Sequence, residues 1–255
     1  KYRALRRMWA RLVKERWLAK DPRSMSLRTH TQTGGSTLTA QQPENNIIRA
    51  SLQALAASLG GVQSMALSCY DEALSIPTEE AQRIALRTQQ VLAYESGVAE
   101  TVDPLAGSYY IEHLTNELEN RANEYMNTIE DMGGSLIAIE NGYMQRHIAD
   151  AAYFAQRAVE SEEQIVVGVN RFTDENEQHA VIFRPNPQAF EAQRISLLEL
   201  KQWRDSTAVG ERLDALKRTA LGNDNIMPFV ISCIRSKCTL GEIADVFRST
   251  FGEYQ

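Results

Sequence analysis

Two segments with strand character, SLRTHTQ at 26–32 and VQSMALSC at 62–69, stand about 35 residues apart with one helical stretch between them. That spacing is the mark of successive βα units in a parallel sheet. Two strands cannot close a barrel, and a pair alone is too small to be self-sufficient. The chain therefore calls for further strands, supplied by upstream sequence or by another chain. Lys1 is not a usual initiating residue, so residues upstream of it are expected.

The helices are read from apolar period and breakers. In RALRRMWARLVKERW, Leu5, Met8, Trp9, Leu12, Val13 and Trp17 recur at helical spacing, which predicts a packed helix with a wide apolar stripe. The first twenty residues carry a net +7, leaving −13 on the remaining 235. The basic side chains are expected to form a water-facing side of this helix. A targeting peptide would lack Glu15 and begin with Met. A nucleic-acid surface fits poorly, because the tryptophan stripe must face a core. After the Asp21-Pro22 break and the first strand, a helix over 44–59 is expected to bury Ile47, Ile48, Leu52, Leu55, Ala56 and Leu59. Gly60-Gly61 ends it. Pro77-Thr78 opens a helix to about Glu95, with Ile84, Ala85, Val91 and Leu92 inward.

From residue 108 the character becomes mostly helical. Helices are predicted over 109–132, 135–141, 143–160, 188–204, 207–221, 225–236 and 240–251, with a stripe on the first of Leu114, Leu118, Ala122, Tyr125, Ile129 and Met132. Thr239 and Glu242 have the spacing of a capping box. Short strands are expected at 164–169 (QIVVGV) and 180–183 (AVIF). The natural division is 1–107, the βα part, and 108–255, the helical part.

Composition narrows the classes. With 43% hydrophobic and 24% charged residues this is an ordinary globular chain. No apolar run approaches the roughly 18 residues that a membrane span needs, so neither membrane nor nucleic acid is an expected partner. Cys69, Cys233 and Cys238 are odd in number and too scattered for a metal knuckle, which points to a reducing, cytoplasmic setting.

The first strand is where chemistry is expected. A parallel strand is normally apolar on both sides, yet Arg28, His30 and Gln32 share one face by period two. Either this is an edge strand facing water, or it lines a polar ligand cavity with the Gly34-Gly35 loop admitting a ligand close to the backbone. His113, His147 and His179 have no partner at ligand spacing and read as surface or capping residues. Cys69 reads as a buried thiol. Asp71-Glu72 is an acid pair or a loop boundary. No nucleophile elbow and no phosphate-loop lysine is present.

Several stretches carry a resemblance. RTHTQTGGSTLTAQQPENNIIRASLQALAASLGGVQS, then YDEALSIPTEEAQRIALRTQQVLAYESG, DPLAGSYYIEHLT, VVGVNRF and CTLGEIADVFRSTFGEY, in that order, resemble the C-terminal portion of the catalytic large (alpha) subunit of the methylmalonyl-CoA mutase family. The resemblance implies an α/β fold: the last units of a (β/α)8 TIM-type barrel, here its seventh and eighth strands, followed by a mostly helical extension. It implies an isomerase that rearranges acyl-CoA carbon skeletons by radical chemistry with adenosylcobalamin, taking methylmalonyl-CoA to succinyl-CoA. The first helix and the THTQTGGSTLTAQQPENN stretch also resemble isobutyryl-CoA and 2-hydroxyisobutyryl-CoA mutase large subunits. A non-catalytic assembly chain of the same fold is the remaining alternative.

By the same resemblance, His30, Gln32 and Gln63 face substrate and adenosyl group, Glu72 holds the adenosyl ribose, and Gly35 lies near the cofactor. The family usually reads QSLHTN where this chain reads QSMALS, so Ala66 and Ser68 replace a common histidine and asparagine. The family's cobalt-ligating Asp-x-His-x-x-Gly is not found here, so the cobalt ligand is expected outside this chain. The implied partners are the acyl-CoA substrate, the upstream barrel segment, and a cobalamin-binding domain or small subunit in a homo- or hetero-oligomer. Activity is expected only with those parts present.

Overall fold

The computed structural model describes residues 1–174 and 182–253. Helix α1 (Tyr2–Arg11) runs into one widened turn at Leu12–Arg16, and Asp21 caps the short helix α2 (Pro22–Met25) through the backbone N–H of Arg23. Strand β1 (His30–Gln32), helix α3 (Asn45–Leu59), strand β2 (Ser64–Ala66) and helix α4 (Glu79–Glu95) follow. Then come α5 (Tyr109–Asp131), α6 (Ser135–Glu140), α7 (Tyr143–Glu160), α8 (Pro187–Trp203), α9 (Ser206–Ala220), α10 (Met227–Arg235) and α11 (Leu240–Phe251). No helix among the described residues is long and apolar enough to cross a membrane. The chain forms two compact units, 1–183 and 184–255.

In the first unit β1 and β2 pair in parallel, with His30 opposite Ser64, Thr31 opposite Met65 and Gln32 opposite Ala66. The α/β class therefore holds, as a mostly helical chain with a small parallel sheet. The strands are shorter than the predicted seven and eight residues, because each has one neighbour and side chains take over the bonding at both ends. Helix α3 covers the sheet with small residues. Ala50, Ala54 and Ala57 are buried, and the first two pack with Met65, Leu67, Ala85 and Leu92. Ile48 and Leu52, expected inward, are 60% and 63% exposed. Alanines at i, i+4 and i+7 let the helix lie close on the strands, and the larger aliphatics are left on its outer side. Likewise Val91 of α4 is exposed, and Ala81 takes the buried place.

The end of α3 is built for close approach. A Cβ at Gly60 would stand 2.7 Å from the Tyr2 ring, and Gly61 has φ +75. Arg6 donates to the carbonyls of both glycines, a cation at a helix C-terminus where the exposed carbonyls favour it.

The basic side of α1 faces water only in part, with Arg3 largely covered and Arg11 more than half exposed. It docks along α5, which runs beside it. Arg3 donates to Asp103 (3.1 Å), Glu112 (2.7 Å) and the Thr115 hydroxyl (3.1 Å). Arg7 and Arg11 both bond Glu119, Arg7 also reaches Asn116 (2.7 Å), and Arg16 pairs with Glu130. Arginines at 3, 7 and 11 share one helix face, so they meet a row of acceptors as a set. Arg3 holds the Glu112 carboxyl at about 2, well below its ordinary range, and the Gly107 N–H helps. The apolar stripe of α1 is correspondingly narrower than expected. Ala4, Met8 and Val13 are buried, while Leu5 and Trp17 are exposed. Trp9 is half-buried, edge-on to Trp17 at 6.0 Å, with its indole N–H donating to the Ser24 carbonyl. On α5 the buried residues are Thr115 and Glu119, and Leu114, Leu118 and Tyr125 are exposed.

Residues 164–169 form no strand. Asn170 bonds the Val166 N–H and the carbonyls of Val159 and Gln164, and Gly168 donates to Arg171 (2.8 Å). These local partners hold the segment as a turn around one isolated bridge, Val167 to Arg171. Ile182 and Phe183 are not in a strand, and the rest of that expected strand, like His179, lies outside the described residues.

The second unit packs α9, α10 and α11 around Val209, Leu216, Cys233, Cys238, Ile243 and Val246. The predicted capping box is present: Thr239 Oγ1 accepts from the Glu242 N–H, and Glu242 accepts from the Thr239 N–H at 2.8 Å. Glu242 also accepts from Arg204, whose side chain is 8% exposed. Arg204, aided by the Thr239 bonds and opposed by burial, holds the Glu242 carboxyl at about 2.

Two outcomes follow. Glu119 is 5% exposed and takes two arginines, so Glu119→Ala should lower stability by about 3 kcal/mol, the low end for a broken buried pair because Arg11 can re-enter water. Arg16→Ala, at a half-exposed pair, should cost less than about 1 kcal/mol. Urea unfolding of the three proteins checks both. The second concerns pH. A carboxyl whose folded pKa is depressed stabilises the fold above its unfolded pKa and loses that contribution as pH falls. The Glu242 contribution should therefore fade between pH 4.5 and about 2, and Glu242→Gln should flatten the stability profile in that window.

Candidate functional site

Parallel strands end on the same side, so the loops that follow β1 and β2 lie together. The first runs through Thr33, Gly34 and a single tight turn at Gly35–Thr37. Gln53 of α3 holds it: its Oε1 accepts from the Gly34 N–H (2.6 Å), and its Nε2 donates to Thr37 Oγ1 (2.7 Å). The second loop runs from Leu67 to Glu72. Between the two, the Ser68 N–H donates to Thr33 Oγ1 (2.8 Å), and the Ser68 hydroxyl donates to the Thr33 carbonyl (2.9 Å).

Glu72 and Gly35 meet across this junction. A Cβ built on Gly35 would stand 3.5 Å from Glu72 Oε2 and 3.8 Å from Ser68 Oγ. The Glu72 side chain makes no hydrogen bond or ion pair with another described residue, so its carboxylate is a free acceptor at a small cradle. The neighbouring acid is different. Asp71 is 1% exposed, and its Oδ2 accepts from the N–H (2.8 Å) and hydroxyl (2.9 Å) of Thr78 at the start of α4. Asp71 thus ties the loop to a helix through Oδ2, while the Glu72 carboxylate is unengaged among the described residues. Burial, reinforced by Glu72 and Asp71, pushes the Cys69 thiol up to about 11, so it stays protonated near neutral pH. This agrees with a buried thiol and not with a nucleophile.

On the open face of the two strands, His30, Gln32, Ser64 and Ala66 stand together by register. His30 Nδ1 is hydrogen-bonded to Ser64 Oγ at 2.8 Å, which orients the ring and leaves Nε2 without a partner among the described residues. The Gln32 carboxamide has none either, and the methyl of Ala66 opposite it offers none. Gln63 lies at the other end of β2. Its Oε1 accepts from the Thr29 N–H (2.8 Å), and its Nε2 donates to the Gly61 carbonyl (3.1 Å). The structure therefore brings Gln32, Gly35 and Glu72 to one end of the sheet, carries His30 along the same face, and sets Gln63 apart. Thr33 and Gln53, which organise the loops with Ser68, had no signal in the sequence, since hydroxyl and amide side chains on loops and helix faces are common, whereas Ser68 stood out only as a departure from the family's asparagine. No cluster of three or more potential metal-ligating side chains occurs among the described residues.

Comparison with known sequences adds the rest. The family described as methylmalonyl-CoA mutase matches residues 1–253. The chain is 42% identical over its whole length to the "2-hydroxyisobutanoyl-CoA mutase large subunit" of Aquincola tertiaricarbonis, covering 46% of that protein. It is 40% identical to the methylmalonyl-CoA mutases of Rhizobium meliloti (strain 1021) and Escherichia coli (strain K12), covering 36% and 35% of them. The chain spans between a third and a half of the length of these curated relatives.

Proposed function

Since the chain belongs to the methylmalonyl-CoA mutase family, we propose that it is part of an acyl-CoA mutase, an isomerase that rearranges the carbon skeleton of a thioester with adenosylcobalamin. Residues 1–107 would supply the seventh and eighth βα units of a (β/α)8 barrel, and 108–255 a largely helical extension. The remaining strands would come from the rest of the protein. The observation that carries this reading is the free carboxylate of Glu72 facing the side-chain-less Gly35, at the strand end that also carries Gln32. It lies at the C-terminal ends of parallel strands, where sheets of this kind bind ligands.

The donor set fits an adenosyl group. A carboxylate with no partner in the chain can accept from both ribose hydroxyls. Gly35 keeps the opposite wall low where a Cβ would come within 3.5 Å of the carboxylate oxygen. Glu72 and Gly35 would hold the group, with Gln32 beside it. Bound adenosylcobalamin supplies homolytic cobalt–carbon cleavage, which starts a radical rearrangement. The cobalt ligand would come from a cobalamin-binding domain or small subunit, a partner in keeping with the name "large subunit" borne by one relative.

The chain's own contribution is orientation. His30, steadied by Ser64, would present Nε2 to the acyl carbonyl oxygen. Gln32 would bridge substrate and adenosyl group with a neutral amide. Neutral hydrogen-bonders suit a reaction that moves a hydrogen atom rather than a proton, because they fix near-attack geometry without a competing acid or base. Gln63, held by Thr29 and Gly61, would line the chamber from the other end of β2. Methylmalonyl-CoA is the substrate we assign, with succinyl-CoA the product. The 42% identity to a 2-hydroxyisobutanoyl-CoA mutase supports 2-hydroxyisobutyryl-CoA as the second reading. Turnover of the assembled enzyme on each thioester decides between them.

In that assembly Glu72→Gln should weaken adenosylcobalamin binding about 10- to 100-fold, the loss of a charge-assisted bond worth roughly 1.5–3 kcal/mol. Gln32→Ala should lower turnover more than it lowers the melting temperature. Spectroscopic cofactor titration and steady-state kinetics measure both. Unchanged affinity and turnover in both variants would remove the assignment.

A further inference from the structure

The backbone ladder between β1 and β2 has its last bond at the Thr33 N–H, which donates to the Ala66 carbonyl at 3.0 Å. Beyond it the two chains take different courses. One enters the tight turn at Gly35–Thr37, and the other turns at Cys69, whose carbonyl accepts from the Glu72 N–H at 3.1 Å. Yet they do not separate at once. Ser68 and Thr33 exchange two bonds, N–H to Oγ1 and Oγ–H to carbonyl, in which side-chain atoms take the place of ladder partners. Both residues are shielded from water, at 2% and 6% exposure.

We infer that Ser68 and Thr33 are positioning residues that set Glu72 against Gly35, an inference resting on the cofactor role proposed above for that cradle. One residue, Gly34, separates Thr33 from Gly35, and three separate Ser68 from Glu72. The Ser68 hydroxyl itself lies 3.8 Å from the Cβ position of Gly35. No other direct hydrogen bond between described residues joins the two loops at this level; farther along, the buried Asn46 carboxamide links them by donating to the Thr39 and Tyr70 carbonyls. The Ser68 hydroxyl donates its one proton to Thr33 and has none to offer a ligand. Where the family commonly carries asparagine, this chain therefore commits the position to its own backbone. The backbone half of the exchange, Ser68 N–H to Thr33 Oγ1, does not depend on the side chain at 68, and the hydroxyl supplies the other half. The serine that stands where the family commonly carries asparagine is thus part of a loop-to-loop clasp.

The test uses the assembled mutase and adenosylcobalamin titration without substrate, so that binding is read apart from turnover. Ser68→Ala deletes the hydroxyl bond. Thr33→Val, close to isosteric, deletes the acceptor of the Ser68 N–H. Each should raise the cofactor Kd about tenfold or more, since displacement of a positioned group is costly, and leave the acyl-CoA KM unchanged. Thr33→Ser should keep the native Kd. Adding Ser68→Ala to Glu72→Gln should bring little further loss, because the clasp acts through that carboxylate. Native affinity in both Ser68→Ala and Thr33→Val, beside weakened binding in Glu72→Gln, would overturn the clasp alone. Native affinity in Glu72→Gln would overturn the cofactor reading on which it rests. Kd and KM rising together in step with a lowered melting temperature would reduce the clasp to general stability.

Discussion

The parallel pairing of His30–Gln32 with Ser64–Ala66 aligns two strand ends, and the candidate site exists because those ends coincide. Residues 32, 35 and 72 are far apart along the chain or separated by a turn, and the register brings them to one place. A one-residue slip would exchange His30 and Gln32 for Thr29 and Thr31 on the open face. Register is fixed from both ends, by the Gln63 amide on Thr29 below and by the Thr33–Ser68 exchange above. Three paired residues per strand would otherwise be a weak constraint.

Around this pair the helices contribute in different ways. Helix α3 lies close because its buried side is alanine, which brings Gln53 within reach of Gly34 and Thr37. Helix α1 meets α5 mainly through charge. Glu119 is the centre of that contact, since it is buried and shared by two arginines, whereas the outer Arg16–Glu130 pair is screened by water. Such an interface defines alignment well, because a missed pairing strands a buried carboxylate. Nearby apolar side chains, Leu114 and Leu118 among them, stay partly exposed.

The chemistry of the site follows from which polar groups the chain satisfies and which it leaves free. Asp71, Thr33, Ser68 and Gln53 are engaged by neighbouring backbone and serve the frame. Glu72 and the Gln32 amide are not engaged. Polar groups whose bonding the fold leaves open are those a ligand can use without first breaking an internal bond. That division distinguishes the adjacent acids: Asp71 is buried and held through Oδ2, its Oδ1 having no partner, whereas neither oxygen of Glu72 is engaged among the described residues.

Local structure was legible in the sequence. Helices α6, α7 and α11, the Thr239–Glu242 capping box and the stop at Gly60-Gly61 depend on residues within a few positions of one another, and the period and caps reveal them. So was the presence of two βα units with parallel strands, and so was the family, whose landmarks are short motifs in order. His30, Gln32, Gly35 and Glu72 were picked out there as candidates, through strand period and resemblance. Which faces are buried was decided by tertiary structure. The outward Ile48 and Leu52, the docking of α1's arginines on α5, the turn in place of a strand at 164–169 and the Thr33–Ser68 clasp all depend on what lies opposite. For the clasp that partner is 35 residues away, and for the arginine row it is over 100. Hydropathy and period record how apolar a face is and how it repeats. They do not record whether an alanine face fits a strand pair more closely than an isoleucine face, or whether a basic face meets water or acid, because those outcomes are set by distances that exist only after folding.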